Sequence, residues 1–286
     1  MHRHLRPILT AAEDAARLGG AEAALRHLRL LGLTDFGQLM WSLPDANWPV
    51  LSSVLPRMAP EEAQRHWTGD AGRSLMLDTA TFQRILALRF RDLTNRRLQG
   101  SKILDYGCGY GRNMRLLYHF TDPANITGLD VTEESLALCA DCGMLGSFAQ
   151  ISPHPIDLPV DGRTFDLIFS YSVFTHISPR STIAALQAMR KVIRPDGVLA
   201  ITSRPPEFWH HQGGIPAEQL ADLVRAVDEV GFGYFPFNIP PLDGDVTYGD
   251  SVITHDWFIR NFPEWEYRGY DRGVDPWQDI LFFTPR

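Results

Sequence analysis

The sequence predicts an α/β protein: a seven-stranded, mostly parallel, doubly wound sheet with an N-terminal helical region. Three observations carry that prediction. From residue 102 onward, short apolar runs alternate with stretches of helical periodicity, the pattern of strands joined by crossover helices. The first run, Lys102-Ile103-Leu104-Asp105-Tyr106, breaks at once into Gly107-Cys108-Gly109-Tyr110-Gly111-Arg112, a strand-loop-helix transition. Residues 1 to about 70 show helical spacing and no alternation.

Taken in order, Ala11 to Leu31 has helical spacing, with Leu18, Leu25, Leu28 and Leu31 on one face and a break at Gly19-Gly20. Shorter helical pieces follow around Phe36–Ser42 and Trp48–Leu55, separated by Pro44 and Pro49. His66-Trp67-Thr68-Gly69 marks a boundary, and a helix then runs from about Ser74 to Leu98 with Phe82, Leu86, Phe90 and Leu93 on one face. Residues 1–72 are therefore expected as a helical region, a candidate cap, and 73–286 as the main domain. Strands are expected at 102–106, 125–130, 148–151, 164–170 and 197–203, with helices at 112–120, 133–142 and 179–193. Pro195-Asp196-Gly197 supplies turn chemistry before the fifth strand. The pattern then fails between 204 and 257, where only Pro216 to Val230 is helical, and this excursion is expected as a lid. Trp265–Tyr270 and Asp279–Phe283 are the sixth and seventh strands.

The glycine loop specifies its ligand by spacing and by charge. A dinucleotide fold uses G-x-G-x-x-G, with a helix N-terminus turned to the pyrophosphate. Here the third glycine, Gly111, arrives one residue early, and Asp105 stands at the strand tip. A carboxylate there repels a pyrophosphate and suits an ammonium group. The second β-pattern, Ile126-Thr127-Gly128-Leu129-Asp130-Val131, also ends in an acid, suited to both hydroxyls of a ribose. An amine at one end, a ribose in the middle and no phosphate describe S-adenosylmethionine and not NAD. The plain alternative is a tight strand-helix turn without a ligand.

With those residues in view, the chain resembles the class I (Rossmann-like) S-adenosylmethionine-dependent methyltransferases. The resemblance is carried by ILDYGCGYGR (103–112), ITGLDV (126–131), FDLIFSYSVFTHI (165–177) and RKVIRPDGVLAITS (190–203), and covers roughly residues 80 to 286. It implies that the last strand inserts antiparallel. It implies that Asp105 and the backbone of Gly107, Cys108 and Gly109 hold the methionine portion, that Asp130 holds the ribose, and that Val131 contacts the adenine. Where many members carry an acid near the adenine amine, this chain has His154, so backbone groups of Ile156, Asp157 and Leu158 take that place. Ser170 and Tyr171, leaving the fourth strand, complete the cofactor set.

Methyl transfer from a sulfonium needs alignment and exclusion of water, and a base only if the acceptor must lose a proton. His176 is the candidate base; the alternative is a structural histidine bonded to backbone. Tyr171 and Phe174 either close over the cofactor or pack. In the excursion, Arg204, Trp209, Tyr248 and His255 are the candidate acceptor-binding residues, Arg204 as an anchor for a carboxylate or phosphate. The interleaved aromatics suit a small lid core equally well. No metal is expected: His210 and His211 are adjacent, and the cofactor itself supplies the electrophile.

Composition bounds the partners. The 286 residues carry a net charge of −7 with no basic run, which excludes a nonspecific nucleic-acid binder. No apolar run suits a membrane span and no signal peptide is expected, so the protein is expected in the cytoplasm. Cys139-Ala-Asp-Cys142 lacks a second pair for zinc, and the odd total of three cysteines speaks against a disulfide framework. The expectation is O-methylation of a small-molecule or glycan acceptor, by analogy with bacterial enzymes of sugar or secondary-metabolite pathways. A homo-oligomer is compatible with the sequence. The rivals are an NAD-dependent oxidoreductase and a non-catalytic protein that keeps the fold.

Overall fold

The computed structural model describes residues 5–273 and 275–286. The chain divides into two compact units, Met1–Gln150 and Ile151–Arg286.

In the first unit, five helices precede the first strand: α1 (Arg6–Leu28), α2 (Leu33–Ser42), α3 (Pro49–Val54), α4 (Glu61–Thr68) and α5 (Gly72–Thr94). Helix α1 is broken at Gly19 and Gly20, and Gly20 has φ +63°. The break shifts the helical register. Leu25, Leu28 and Leu31 are buried as expected, whereas Leu18, before the break, is 92% exposed. Sequence reading missed α4, although Glu61 and Glu62 in its first turn and Gly69 as a left-handed C-cap are ordinary helix signals. The α3 N-terminus is held by a buried acid from α1: Glu13 accepts from the N–H groups of Val50 and Leu51, both at 2.9 Å.

Strands β1 (Ile103–Tyr106), β2 (Ile126–Asp130) and β3 (Ser147–Gln150) follow, with α6 (Arg112–Leu117) and α7 (Glu133–Asp141) between them. All three strands run parallel, with Asp105 opposite Gly128 and Asp130 opposite Gln150. Every residue of β1 and β2 is buried, as strands covered on both faces require.

The second unit contains β4 (Phe165–Ser170), α8 (Pro179–Val192) and β5 (Ile193–Ser203), the two strands parallel. The Pro195-Asp196-Gly197 turn falls inside β5 as an irregularity: Phe165 pairs with Ile193, but Leu167 pairs with Val198. Helices α9 (Phe208–His211) and α10 (Ala217–Val230), strands β6 (Phe232–Pro236) and β7 (Gly249–Ile253), and α11 (His255–Asn261) make up the excursion. Strands β6 and β7 form a separate antiparallel pair. Sequence reading missed it because Gly233 and Pro236 interrupt β6 and its partner lies well downstream. Strands β8 (Trp265–Arg272) and β9 (Asp279–Pro285) close the unit, with β9 antiparallel to both β5 and β8. The seven-stranded sheet has the order β3-β2-β1-β4-β5-β9-β8, so the last strand inserts antiparallel.

Among the described residues, no helix is long and apolar enough to cross a membrane.

Candidate functional site

In the first unit the loop after β1 is built by backbone conformation. Gly107, Gly109 and Gly111 have φ of +79°, +53° and +77°, in the left-handed region that side chains rarely enter. The loop is tied to β2 at three points. Gly107 and Cys108 donate their N–H groups to the Leu129 carbonyl at 2.7 and 3.0 Å, and Gly109 donates to Asp130 Oδ2 at 2.8 Å. Asp130 Oδ1 accepts from Thr132 N–H at 2.9 Å. The expected ribose ligand is thus also the clamp of the glycine loop, which sequence reading did not foresee.

Asp105 is 1% exposed, and neither carboxylate oxygen has a hydrogen-bond partner. An unpartnered buried acid costs free energy, and burial pushes its pKa well up, with nearby Asp130 adding to the rise and Arg112 opposing it. Burial also raises Asp130, against the pull of the N–H donors from Thr132 and Gly109. A ligand ammonium group would relieve Asp105. Beside it, a Cβ built on Gly109 would meet nothing within 4 Å, so the loop leaves space at that point. The residues therefore fit the group the sequence implies.

Cys108 donates its N–H to the Leu129 carbonyl. Its thiol is buried, and its pKa is raised first by a hydrogen bond with Cys139 and then by burial. Cys139 Sγ reaches the Gly109 carbonyl at 3.3 Å. The thiols of interest are thus Cys108 and Cys139, not the Cys139–Cys142 spacing. Val131 is 44% exposed, and its carbonyl accepts from Gln150.

The second unit holds the remaining candidates. Lys191 Nζ donates to the Ile156 carbonyl at 2.7 Å and to Asp157 Oδ1 at 2.8 Å, Ile156 is 80% exposed, and Leu158 is buried. His154 Nε2 pairs with Asp245 Oδ2 at 2.9 Å. Ser170 is buried at the end of β4 and Tyr171 is half-buried. Next to them Ser172 takes φ +57°, held by its N–H to Thr202 Oγ1 at 2.7 Å and by its hydroxyl to Gln278 at 3.0 Å. A non-glycine residue in that conformation costs free energy that its partners must offset. No sequence signal marks it.

His176 follows β4 and Arg204 follows β5, beyond the carboxyl ends of these parallel strands, where open α/β sheets bind ligands. The two are joined. His176 Nδ1–H donates to the Gly249 carbonyl at 2.8 Å, which leaves Nε2 as the acceptor for Arg204 Nη2 at 3.1 Å. Arg204 Nη1 donates to the Thr175 carbonyl at 2.8 Å and to Asp250, whose other oxygen accepts from Gln212 at 3.0 Å. Burial, reinforced by Arg204, lowers the His176 pKa to about 4. Both ring nitrogens of His176 are thus engaged within the fold. Arg204, stacked 3.9 Å over Phe208 and bonded to Asp250, is likewise committed within the fold.

The other acceptor candidates separate. Trp209 is fully buried in a hydrophobic cluster with Phe208, Leu223, Val227 and Val252. His255 bonds Tyr267 through Nδ1 at 3.1 Å and lies 3.5 Å from Asp279 through Nε2. Tyr248 is 46% exposed and stacks on the His176 ring at 5.2 Å. Of the four, it alone combines exposure with contact to His176. His211 stacks on Trp277, and among the described residues no group of three or more metal-ligating side chains is gathered.

Residues 103–197 match the family model described as a methyltransferase domain. This stretch is similar to the methyltransferase domains that the model describes. A solved S-adenosylmethionine-dependent methyltransferase from Clostridium acetobutylicum ATCC 824 superposes with a TM-score of 0.51 at 10% identity, covering 78% of this chain and 96% of that one. The chain therefore shares the fold of that protein. A fatty-acid O-methyltransferase of Mycolicibacterium smegmatis is 25% identical over 177 residues, 58% of this chain and 61% of the relative. A phthiotriol/phenolphthiotriol dimycocerosates methyltransferase of Mycobacterium ulcerans is 27% identical over 150 residues, 49% of this chain and 55% of the relative. Around the methyltransferase domain, the chain thus spans about three fifths or less of the curated relatives it matches.

Proposed function

We propose that the protein is an S-adenosylmethionine-dependent methyltransferase that methylates an oxygen of a small-molecule acceptor. The buried, unpartnered Asp105 carboxylate at the tip of β1 carries this reading, because it calls for a cation beside a loop that no phosphate suits. Asp105 would hold the ammonium group, the open space at Gly109 would accommodate the methionine chain, and Asp130 would use its remaining lone pairs on the ribose. When bound, the cofactor supplies an already activated methyl group.

The chain's own side chains bear on the acceptor's charge. His176 is neutral near pH 7, and its Nε2 lone pair is used by Arg204. An acceptor that arrives ionised, such as a carboxylate, needs no base from the protein. The fatty-acid O-methyltransferase among the relatives supports the same choice and favours a lipid-like acceptor over a glycan. Three unpaired cysteines suit a reducing, cytoplasmic setting.

The test is calorimetry with S-adenosylhomocysteine on the wild type and Asp105→Asn, followed by methyl transfer to a panel of carboxylic acids. Binding of S-adenosylhomocysteine that Asp105→Asn weakens by about tenfold or more supports the assignment. Binding of NADH in its place would overturn it.

A further inference from the structure

Gly109 is held on both sides of its α-carbon. Its N–H, in the peptide shared with Cys108, donates to Asp130 Oδ2 at 2.8 Å. Its carbonyl, in the peptide shared with Tyr110, accepts from the Cys139 thiol at 3.3 Å, and Cys108 Sγ lies 3.6 Å from the same oxygen. Planar peptides leave each residue two soft dihedrals, and glycine explores them more widely than any other residue. Holding the peptide on each side therefore fixes Gly109 in a single conformation, with φ +53°.

The two holds come from consecutive elements, since Asp130 ends β2 and Cys139 lies on α7. Both thiols are buried, so water does not compete for their S–H groups. Strand β2 makes room for the first of them: a Cβ built on Gly128 would lie 2.9 Å from Cys108 Sγ. At Gly109 the situation is reversed, because a Cβ there meets nothing within 4 Å. The loop is thus tied through its carbonyl to buried sulfur and open at its α-carbon.

The chemistry of the pair suits a donor role. Its hydrogen bond with Cys139 and its burial both keep Cys108 protonated, and a protonated thiol donates a hydrogen bond but is a poor nucleophile. Among the described residues no third metal-ligating side chain joins the two sulfurs. We infer that Cys139 is a positioning residue: its thiol holds the Gly109 carbonyl and so presets the glycine loop for the methionine portion of S-adenosylmethionine. A loop set beforehand binds more tightly, because less conformational entropy is lost when the ligand arrives. The inference deepens the methyl-transfer reading and rests on it.

The test compares the wild type, Cys139→Ala and Cys139→Ser by two measurements on the full chain. One is hydrogen exchange of the Gly109 N–H in the free protein, followed by NMR; the other is S-adenosylhomocysteine affinity by calorimetry. Cys139→Ala loses the donor, and should speed exchange and weaken binding by about threefold or more each, the worth of one modest hydrogen bond. Cys139→Ser keeps a hydroxyl donor and should recover most of both losses. Cys139→Val fills the volume without a donor and repeats the comparison should the alanine variant not fold. Losses shared equally by the serine variant would assign Cys139 to packing and overturn the inference. So would S-adenosylhomocysteine affinity in Cys139→Ala equal to that of the wild type. Failure of S-adenosylhomocysteine to bind the wild type strikes the methyl-transfer reading instead, and the exchange comparison, which needs no cofactor, still decides whether the thiol holds the loop.

Discussion

Asp130 accepts the Gly109 N–H at 2.8 Å, so the acid at the end of β2 holds the loop at the end of β1. Its second oxygen takes the Thr132 N–H, and the carboxylate thereby orders two backbone segments before any ligand arrives. Asp130→Ala should cost about 1–2 kcal/mol of stability and weaken S-adenosylhomocysteine binding by about 1–3 kcal/mol. Asp130→Asn, which keeps one acceptor oxygen, should fall between. Denaturant midpoints and calorimetry separate the two losses, and unchanged affinity in Asp130→Ala would remove Asp130 from the ribose site.

Asp105 sets a pH dependence on cofactor binding. Burial raises its pKa well above the carboxylate norm, so in the free protein it takes up a proton more readily than a solvated acid. A bound ammonium favours the ionised form and lowers that pKa. Below that raised pKa, binding should therefore release a proton, and affinity should fall as pH drops through it. Calorimetry in two buffers of different ionisation enthalpy measures the proton directly. Asp105→Asn should abolish both the release and the pH dependence.

Two glycines of the loop should behave differently on substitution by alanine. Both have positive φ, which costs an alanine about 1–2 kcal/mol. At Gly111 a new Cβ would also lie 2.7 Å from Met144 Cε, whereas at Gly109 it meets nothing within 4 Å. Gly111→Ala should therefore lose more stability. Gly109→Ala should remain folded but lose affinity, since its methyl group projects into the space assigned to the ligand. If Gly109→Ala bound S-adenosylhomocysteine as well as the wild type, the cofactor would not approach the loop there.

Much of this was legible in the sequence, for physical reasons that differ by segment. Strands β1, β2, β4 and β5 were visible because strands buried on both faces are continuous apolar runs ended by acids or glycines. Asp105 and Asp130 were visible because an acid at a strand tip is hard to explain by packing. Leu18 was misplaced because two glycines reset the register of α1, and periodicity assumes an unbroken helix. The β6–β7 pair was hidden because its pairing is non-local and β6 carries Gly233 and Pro236. The partners of His176 were invisible for the same reason: Arg204 and Gly249 are brought to it only by tertiary structure.

Glu13 tests the helical part of the first unit. Its buried carboxylate satisfies two of the unpaired N–H groups that begin α3, a task normally done by a local cap. Glu13→Ala would leave the Val50 and Leu51 N–H groups without acceptors and should cost about 1–3 kcal/mol, read from urea midpoints. Glu13→Gln, which keeps an acceptor oxygen, should recover part of the loss. Equal stability of all three proteins would mean that water replaces the carboxylate at the α3 terminus.

His176 should make stability depend on pH in a defined window. Its pKa is about 4 in the folded chain, against an ordinary value near 6.5 once unfolded. Between those values the unfolded chain binds the extra proton, so stability is full above pH ~6.5 and declines as pH falls toward 4. The two values imply roughly 3–4 kcal/mol, at about 1.4 kcal/mol per pKa unit. Burial sets the sign and Arg204 reinforces it, the Gly249 carbonyl and Asp250 oppose it less strongly, and Tyr248 covers one face of the ring. His176→Gln should be less stable than the wild type at pH 7.5 and should approach it by pH 5, as urea midpoints would record. The same variant separates brace from base. A brace predicts methyl transfer slowed by less than about tenfold, whereas loss of a general base costs ~10²-fold or more. A loss of that size, with stability unchanged at pH 7.5, would return His176 to the chemistry.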